Sequence, residues 1–215
     1  DIYKEQFPLE RRYQVFLREE LVDKMLESLG KIITKNKGLL IIRGDYGSGK
    51  TFFLNKLIKK IKHKEPIITT KIFSSKPFSL IKTILEKLKY NTKDYKKILE
   101  IDLPIIVIEE LQRIDESSLD LLLKKDKLII IGTVDSTESI NFIKKINVEK
   151  EIIDIKPYNK EEIKTFIDTI FVNNLFYPDD FINFISEISQ GNLTNILYLL
   201  KFLNEKKSIK YQNNK

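Results

Sequence analysis

The stretch Leu39-Leu40-Ile41-Ile42-Arg43-Gly44-Asp45-Tyr46-Gly47-Ser48-Gly49-Lys50-Thr51 joins an apolar run to a glycine-rich turn that ends in Lys-Thr. An apolar run without polar alternation predicts a short strand buried on both faces. Beyond Thr51, residues Phe53, Leu54, Leu57, Ile58 and Ile61 recur at helical spacing. Between strand and helix, residues 44–51 fit G-x-x-x-x-G-K-[ST] in the context that pattern requires. Glycines there let backbone N–H groups turn toward phosphate oxygens without a Cβ in the way. The helix N-terminus adds a partial positive charge at the same place. Lys50 is expected to reach the β- and γ-phosphates of ATP, and the Thr51 hydroxyl to ligate Mg²⁺. Gly44, Asp45, Tyr46, Gly47, Ser48, Gly49, Lys50, Thr51 and the adjoining Phe52 are the candidate nucleotide-binding residues.

Outward from this stretch, strands and helices alternate. Residues 13–29 carry apolar side chains at helical spacing, with Gly30 as the expected stop. Pro66 opens the β-like run IITTKIF, and Pro77 starts a helix with Leu80, Ile81, Ile84, Leu85 and Leu88 inward. Pro104 opens a third strand, PIIVIEE, and a polar helix is predicted from about Asp115 to Lys125. LIIIGT at 128–133 reads as a fourth strand and EIIDI at 151–155 as a fifth. Such alternation predicts an α/β fold with a parallel sheet covered on both faces. From Asn159 onward the period is helical only. Asn159 and Glu162 form a capping box for the first of these helices, Pro178 begins a second and Gly191-Asn192 a third. The expected organisation is an αβα domain over 1–157 with an N-terminal helix, a helical unit over 158–207, and a frayed tail over 208–215.

A phosphate-binding loop of this kind needs an acidic partner at the end of another strand, and PIIVIEE supplies two. Glu109 is expected to hold the Mg²⁺ hydration shell, and Glu110 to orient and activate an attacking water. The first position is commonly Asp, so the longer Glu109 shifts the metal geometry.

Taken in order, F-x-R-E (Phe16, Arg18, Glu19), GDYGSGKT, IIVIEE, LIIIGT, KPY-x-x-x-EI (Lys156 to Ile163) and GNLTNILYLL resemble the AAA+ ATPases. The resemblance is greatest to the branch of archaeal and bacterial replication initiators and transposition-regulator ATPases, and covers about residues 12–204. It implies a five-stranded αβα sandwich with a small C-terminal helical lid. Thr133, ending the fourth strand, would be the sensor 1 residue and act with Lys50 and Glu110 in catalysis. GNLT at 191–194 stands where the family carries G-[ND]-x-R. Thr194 takes the place of the arginine that contacts nucleotide, and a threonine cannot compensate γ-phosphate charge. The chain has five arginines, Arg11, Arg12, Arg18, Arg43 and Arg113, and none after residue 113. The usual trans-acting arginine between the fourth and fifth strands is therefore missing. Lys144, Lys145, Lys150 and Arg113 are the candidate substitutes, although lysine lacks the planar fork. The resemblance implies an ATPase that hydrolyses slowly without an oligomer or a partner, used as an oligomerising, DNA-associated switch of the replication-initiation or transposition type. Two alternatives stand beside it: a nucleotide-gated signalling or protein-recruitment module, and an inactive relative that binds ATP structurally.

Composition limits the rest. The 215-residue chain is 42% hydrophobic and 32% charged, which suits a folded domain with its own core. It has no Cys, which excludes a disulfide scaffold, a thiolate zinc site and a Cys nucleophile. The single His63 cannot build a histidine metal site or a Ser–His–Asp triad. No apolar run reaches the ~18 residues of a membrane span and no signal peptide is visible, so a cytoplasmic, nucleoid-associated protein is expected. The chain begins at Asp1 rather than Met, so residues are expected before it. It ends soon after the last helices, so any DNA contact is expected from the ATPase body or a protein partner. Residues 56–97 hold 13 Lys against Glu65, Glu86 and Asp94, a net of +10 within a chain of +7. This asymmetry predicts a basic face. Lys87, Lys89, Lys93, Lys96 and Lys97, around the end of the helix after the second strand, are the candidate nucleic-acid contacts; a solvated helix surface is the alternative.

Overall fold

The computed structural model describes residues 18–61, 67–71, 76–103, 105–136, 146–170, 175–176, 178, 180–205 and 210–211. Phe16, His63, Lys144 and Lys145 lie outside these residues. The chain divides into two compact units, one of residues 20–46 and 50–155, the other of 1–19, 47–49 and 156–215.

The larger unit holds five strands: β1 (Lys37–Gly44), β2 (Ile67–Lys71), β3 (Ile105–Glu109), β4 (Leu128–Asp135) and β5 (Lys150–Asp154). All pairings are parallel and the order is β2-β3-β4-β1-β5. Leu39 to Ile42 are fully buried, as their unbroken apolar run requires. Four helices belong here: α1 (Glu19–Thr34), α2 (Lys50–Ile61), α3 (Ser79–Lys87) and α4 (Glu116–Leu123). Leu80, Ile81, Ile84 and Leu85 of α3 and Leu119, Leu121 and Leu122 of α4 form one core cluster with Leu39, Ile41, Ile106, Ile108 and Ile130. The buried side chains of α1 and α2 lie outside that cluster. Strand alternation leaves Leu40 and Ile42 for the opposite face, where α2 runs against β1 and β4.

Two details depart from expectation. Helix α1 runs through Gly30 to Thr34. Its apolar stripe continues as Leu29 and Ile32, both buried, and that packing outweighs the ~1 kcal/mol propensity cost of one interior glycine. The helix ends instead at Thr34, and Asn36, two residues beyond, takes φ 58. Short 3₁₀ turns at Tyr95–Leu99 and Leu111–Arg113 add to the elements read from periodicity. Asp115 caps α4 by accepting from the Ser118 N–H at 2.8 Å, and also accepts from the Phe78 N–H at 2.8 Å. One carboxylate thus fixes the starts of both α3 and α4. Burial pushes its pKa up, but these hydrogen bonds prevail and hold it below the ordinary aspartate value.

The smaller unit contains α5 (Lys160–Ile170), α6 (Phe181–Ser189) and α7 (Leu193–Glu205), packed around Tyr158, Ile163, Phe166, Ile167, Ile170, Ile185, Ile196 and Leu200. The Asn159–Glu162 capping box closes at 2.9 Å in both directions. A short strand pairing accompanies these helices. β6 (Leu175–Phe176) and β7 (Lys210–Tyr211) pair antiparallel. The pairing joins two residues to two others far along the chain, so no local period announces it. Arg18, at φ 65, donates to both Glu162 carboxylate oxygens at 2.5 and 2.6 Å and to the Lys156 and Pro157 carbonyls at 2.6 and 3.0 Å. Its guanidinium also lies 4.2 Å from the centre of the Tyr158 ring.

Candidate nucleotide-binding site

The sheet order places the carboxyl ends of β1, β4 and β3 side by side. At the end of β1, Gly44 pairs in register with Asp135 of β4. The chain turns through 45–49 and enters α2 at Lys50. No acidic residue occupies the first turn of α2, so nothing there competes with an incoming anion for the helix dipole.

Lys50 Nζ donates to the Gly44 carbonyl at 2.8 Å, the Asp45 carbonyl at 3.0 Å and Asp135 Oδ1 at 2.6 Å. The Thr51 hydroxyl donates to Glu109 Oε2 at 3.2 Å, so the fold brings together the two side chains expected to share a Mg²⁺ ion. Among the described residues no group of three or more His, Cys, Asp or Glu forms a ready metal site. A hydroxyl and a single carboxylate instead suit a hard cation that keeps waters and phosphate oxygens as its other ligands.

Glu110 follows Glu109 in the left-handed region, at φ 57 and ψ 52. Its N–H donates to Thr133 Oγ1 at 3.0 Å, and its carboxylate pairs with Arg113 at 2.8 Å on the exposed surface. Thr133, 2% exposed, thus holds the backbone of the residue proposed as base. The next turn rests on β4 at Gly132. A Cβ there would meet Leu111 Cδ2 at 2.6 Å and Leu111 Cβ at 2.9 Å, so the close approach needs glycine.

The remaining predicted residues are placed as follows. Tyr46 is exposed, at 84%, and Asp45 is hydrogen-bonded by the Ser136 hydroxyl. Ser48 is buried, and its hydroxyl has no hydrogen-bond partner among the described residues. Phe52 meets the Phe53 ring edge to face at 5.6 Å, with Lys56 Nζ 5.5 Å from its centre. Within the smaller unit, Gly47 has φ 79, and a Cβ on it would fall 2.5 Å from Asn192 Oδ1. The Thr194 N–H donates to the Gly47 carbonyl at 3.2 Å.

Among the described residues, the lysines of 56–97 do not form a single face. Lys56, Lys59 and Lys60 are on α2, whereas Lys87 ends α3 and Lys89, Lys93, Lys96 and Lys97 follow it, across the sheet. Net charge along a sequence is blind to this division. The five candidate contacts all belong to the α3 side. Lys87 Nζ donates to the Thr69 carbonyl at 2.8 Å, and Lys97 pairs with Glu100. Lys89, Lys93 and Lys96 are exposed. Of the candidate trans-acting cations, Lys150 donates to the Ile146 carbonyl at 2.7 Å.

Sequence reasoning missed Asp135. The signal was available: it lies two residues beyond Thr133, on the same face of β4 and at the strand's carboxyl end. It also treated Arg18 as a motif letter, without the partners that hold it.

A family model described as "BREX system ATP-binding protein BrxC/D" matches residues 14–91. No curated protein matches the chain. Among solved structures, the chain is similar to Cdc6p from Pyrobaculum aerophilum, with TM-score 0.67 and 15% identity over 89% of this chain and 62% of that one. It is similar to Orc1 from Aeropyrum pernix, solved in complex with DNA, with TM-score 0.61 and 14% identity over 90% and 61%. It is also similar to a mutant RuvB from Thermotoga maritima, with TM-score 0.59 and 15% identity over 91% and 66%. The chain therefore spans between 61% and 66% of the length of these neighbours. At such identities the likeness establishes the fold alone: an αβα arrangement built on a five-stranded parallel sheet. Among the described residues, no helix is long and apolar enough to cross a membrane.

Proposed function

We propose that this chain is an ATP-binding, slowly hydrolysing ATPase that serves as a self-associating, DNA-associated switch in the cytoplasm. The observation that carries the nucleotide reading is the Thr51–Glu109 hydrogen bond, next in sequence to a Lys50 that folds back on the Gly44 carbonyl at the end of β1. The description of the matching family as ATP-binding supports the same reading. The loop backbone from Gly44 to Gly49 cradles phosphates, and Lys50 adds the cation. Thr51 and Glu109 would hold Mg²⁺, which neutralises phosphate charge when bound. Glu110 takes the proton of the attacking water, and Thr133 positions it through its backbone. Thr194 contacts the loop through its own N–H and brings no charge. Turnover stays slow until a second copy or a protein partner contributes a cation, since trans-acting arginines are worth roughly 10³–10⁵ in rate.

The DNA part of the proposal rests on Lys87, Lys89, Lys93, Lys96 and Lys97, and is supported by the Orc1 neighbour that was solved with DNA. A second reading, recruitment of a protein instead of DNA, is favoured by four exposed apolar residues on the smaller unit's helices: Phe184, Ile188, Tyr198 and Phe202. Sedimentation with ATP, ADP or neither, with and without duplex DNA, tests the two. The first reading expects ATP-dependent assembly on DNA that weakens steeply with salt and is lost when the five lysines become Glu. Equal DNA binding by parent and variant would put recruitment first.

A further inference from the structure

We propose that Asp135 is a specificity-determining residue that holds Lys50 in competition with the terminal phosphate, lowering the site's preference for ATP over ADP. The proposal rests on the nucleotide reading above. An ammonium has three N–H donors and no acceptor. Lys50 directs them at the Gly44 carbonyl, the Asp45 carbonyl and Asp135 Oδ1. The Asp135 contact is the shortest, at 2.6 Å, and its acceptor alone carries a full charge. The pair is sheltered, with side chains 13% and 26% exposed, so solvent screens it only in part. Charge-assisted bonds of this kind are roughly twice as strong as neutral ones.

The carboxylate is fixed by the sheet. Asp135 pairs with Gly44 across β4 and β1, and the next residue, Ser136, ties back to Asp45 through its hydroxyl and to the Gly44 carbonyl through its N–H. Thr133, on the same face of β4, accepts from the Glu110 N–H, which leaves Asp135 as the group of that strand end that addresses Lys50. A phosphate oxygen arriving at Lys50 either displaces the carboxylate or shares the ammonium with it. Displacement breaks the ion pair. Sharing crowds two anions onto one cation. Both outcomes penalise a nucleotide more as its negative charge grows, so ATP suffers more than ADP.

Asp135→Asn keeps the shape and removes the charge. Calorimetric titration with ATP and with ADP, both with Mg²⁺, should show ATP binding about tenfold tighter, the change worth ~1.4 kcal/mol, with a smaller gain for ADP. The nucleotide-free variant should melt at a lower temperature, because it has lost the ion pair. Those opposite signs separate the assigned role from a scaffolding one, which would lower affinity and stability together. Asp135→Glu, which keeps the charge, should keep the parent's ATP-to-ADP ratio. Should the Asn variant be insoluble, Asp135→Ser gives the same comparison. Equal ratios in parent and neutral variant overturn the proposal and leave the nucleotide reading standing. Failure of parent and variant alike to bind either nucleotide at millimolar concentration overturns that reading, and this proposal with it.

Discussion

Lys50 in the larger unit and Arg18 in the smaller one are both sheltered cations with several hydrogen-bond partners, yet the partners differ in kind. Lys50 faces two loop carbonyls and one carboxylate at the open end of a sheet. Arg18 grips both oxygens of Glu162, two successive carbonyls and the face of Tyr158. A point charge on a flexible stem can trade a carboxylate for a phosphate. A planar fork held on several sides cannot move without losing every contact at once. The partner set, rather than sequence motif or burial, separates a cation available for binding from one that braces the fold.

That contrast can be broken in three places. The largest expected effect is Lys50→Ala, which should weaken ATP binding by ~2–5 kcal/mol, as loss of one member of a desolvated charge pair does. Calorimetry reads it, with a smaller change in melting temperature. Unchanged ATP affinity would make Lys50 a brace as well. Next, Arg18→Ala should cost about 2–3 kcal/mol of stability, the scale of hydrogen bonds to charged groups, read by denaturant unfolding. Arg18→Lys should not restore it, having no fork. The pH dependence follows. The Arg18 hydrogen bond holds the Glu162 carboxyl below the ordinary glutamate range, against a weaker upward push from burial. A depressed folded value means the stabilisation is full above the unfolded pKa of about 4.3 and is lost as pH falls through the folded one. Arg18→Ala should therefore flatten the acid limb of the stability profile. The smallest effect is at Gly30, where a Cβ would meet nothing within 4 Å. Gly30→Ala should raise stability by roughly 0.5–1 kcal/mol, the pure backbone term against which the other two are judged.

Much of the fold was legible because its signals are local. The run Leu39 to Ile42 states a buried strand, the Asn159–Glu162 pair states a helix start, and the loop motif states where strand meets helix. The acids of β3 were legible for the same reason, standing at the end of a run that ends visibly. What escaped needs register or distance. Asp135 meets Lys50 only once β4 is laid beside β1. Arg18 meets Glu162 across 144 residues of sequence. The lysines of α2 and those after α3 look like one charged block until a sheet is placed between them. Gly30 failed as a stop because tertiary packing of Leu29 and Ile32 outweighed a local preference.

Gly132 shows how a residue without a side chain can set the position of one with chemistry. Leu111 bears on its bare backbone with no clearance left, and Leu111 directly follows Glu110. Any atom added at 132 works as a shim under that bearing: it lifts the 3₁₀ turn, and the carboxylate upstream travels with it. The alignment of the proposed base is thus machined into the sheet beneath it, at a position that no inventory of acids, bases and cations would mark.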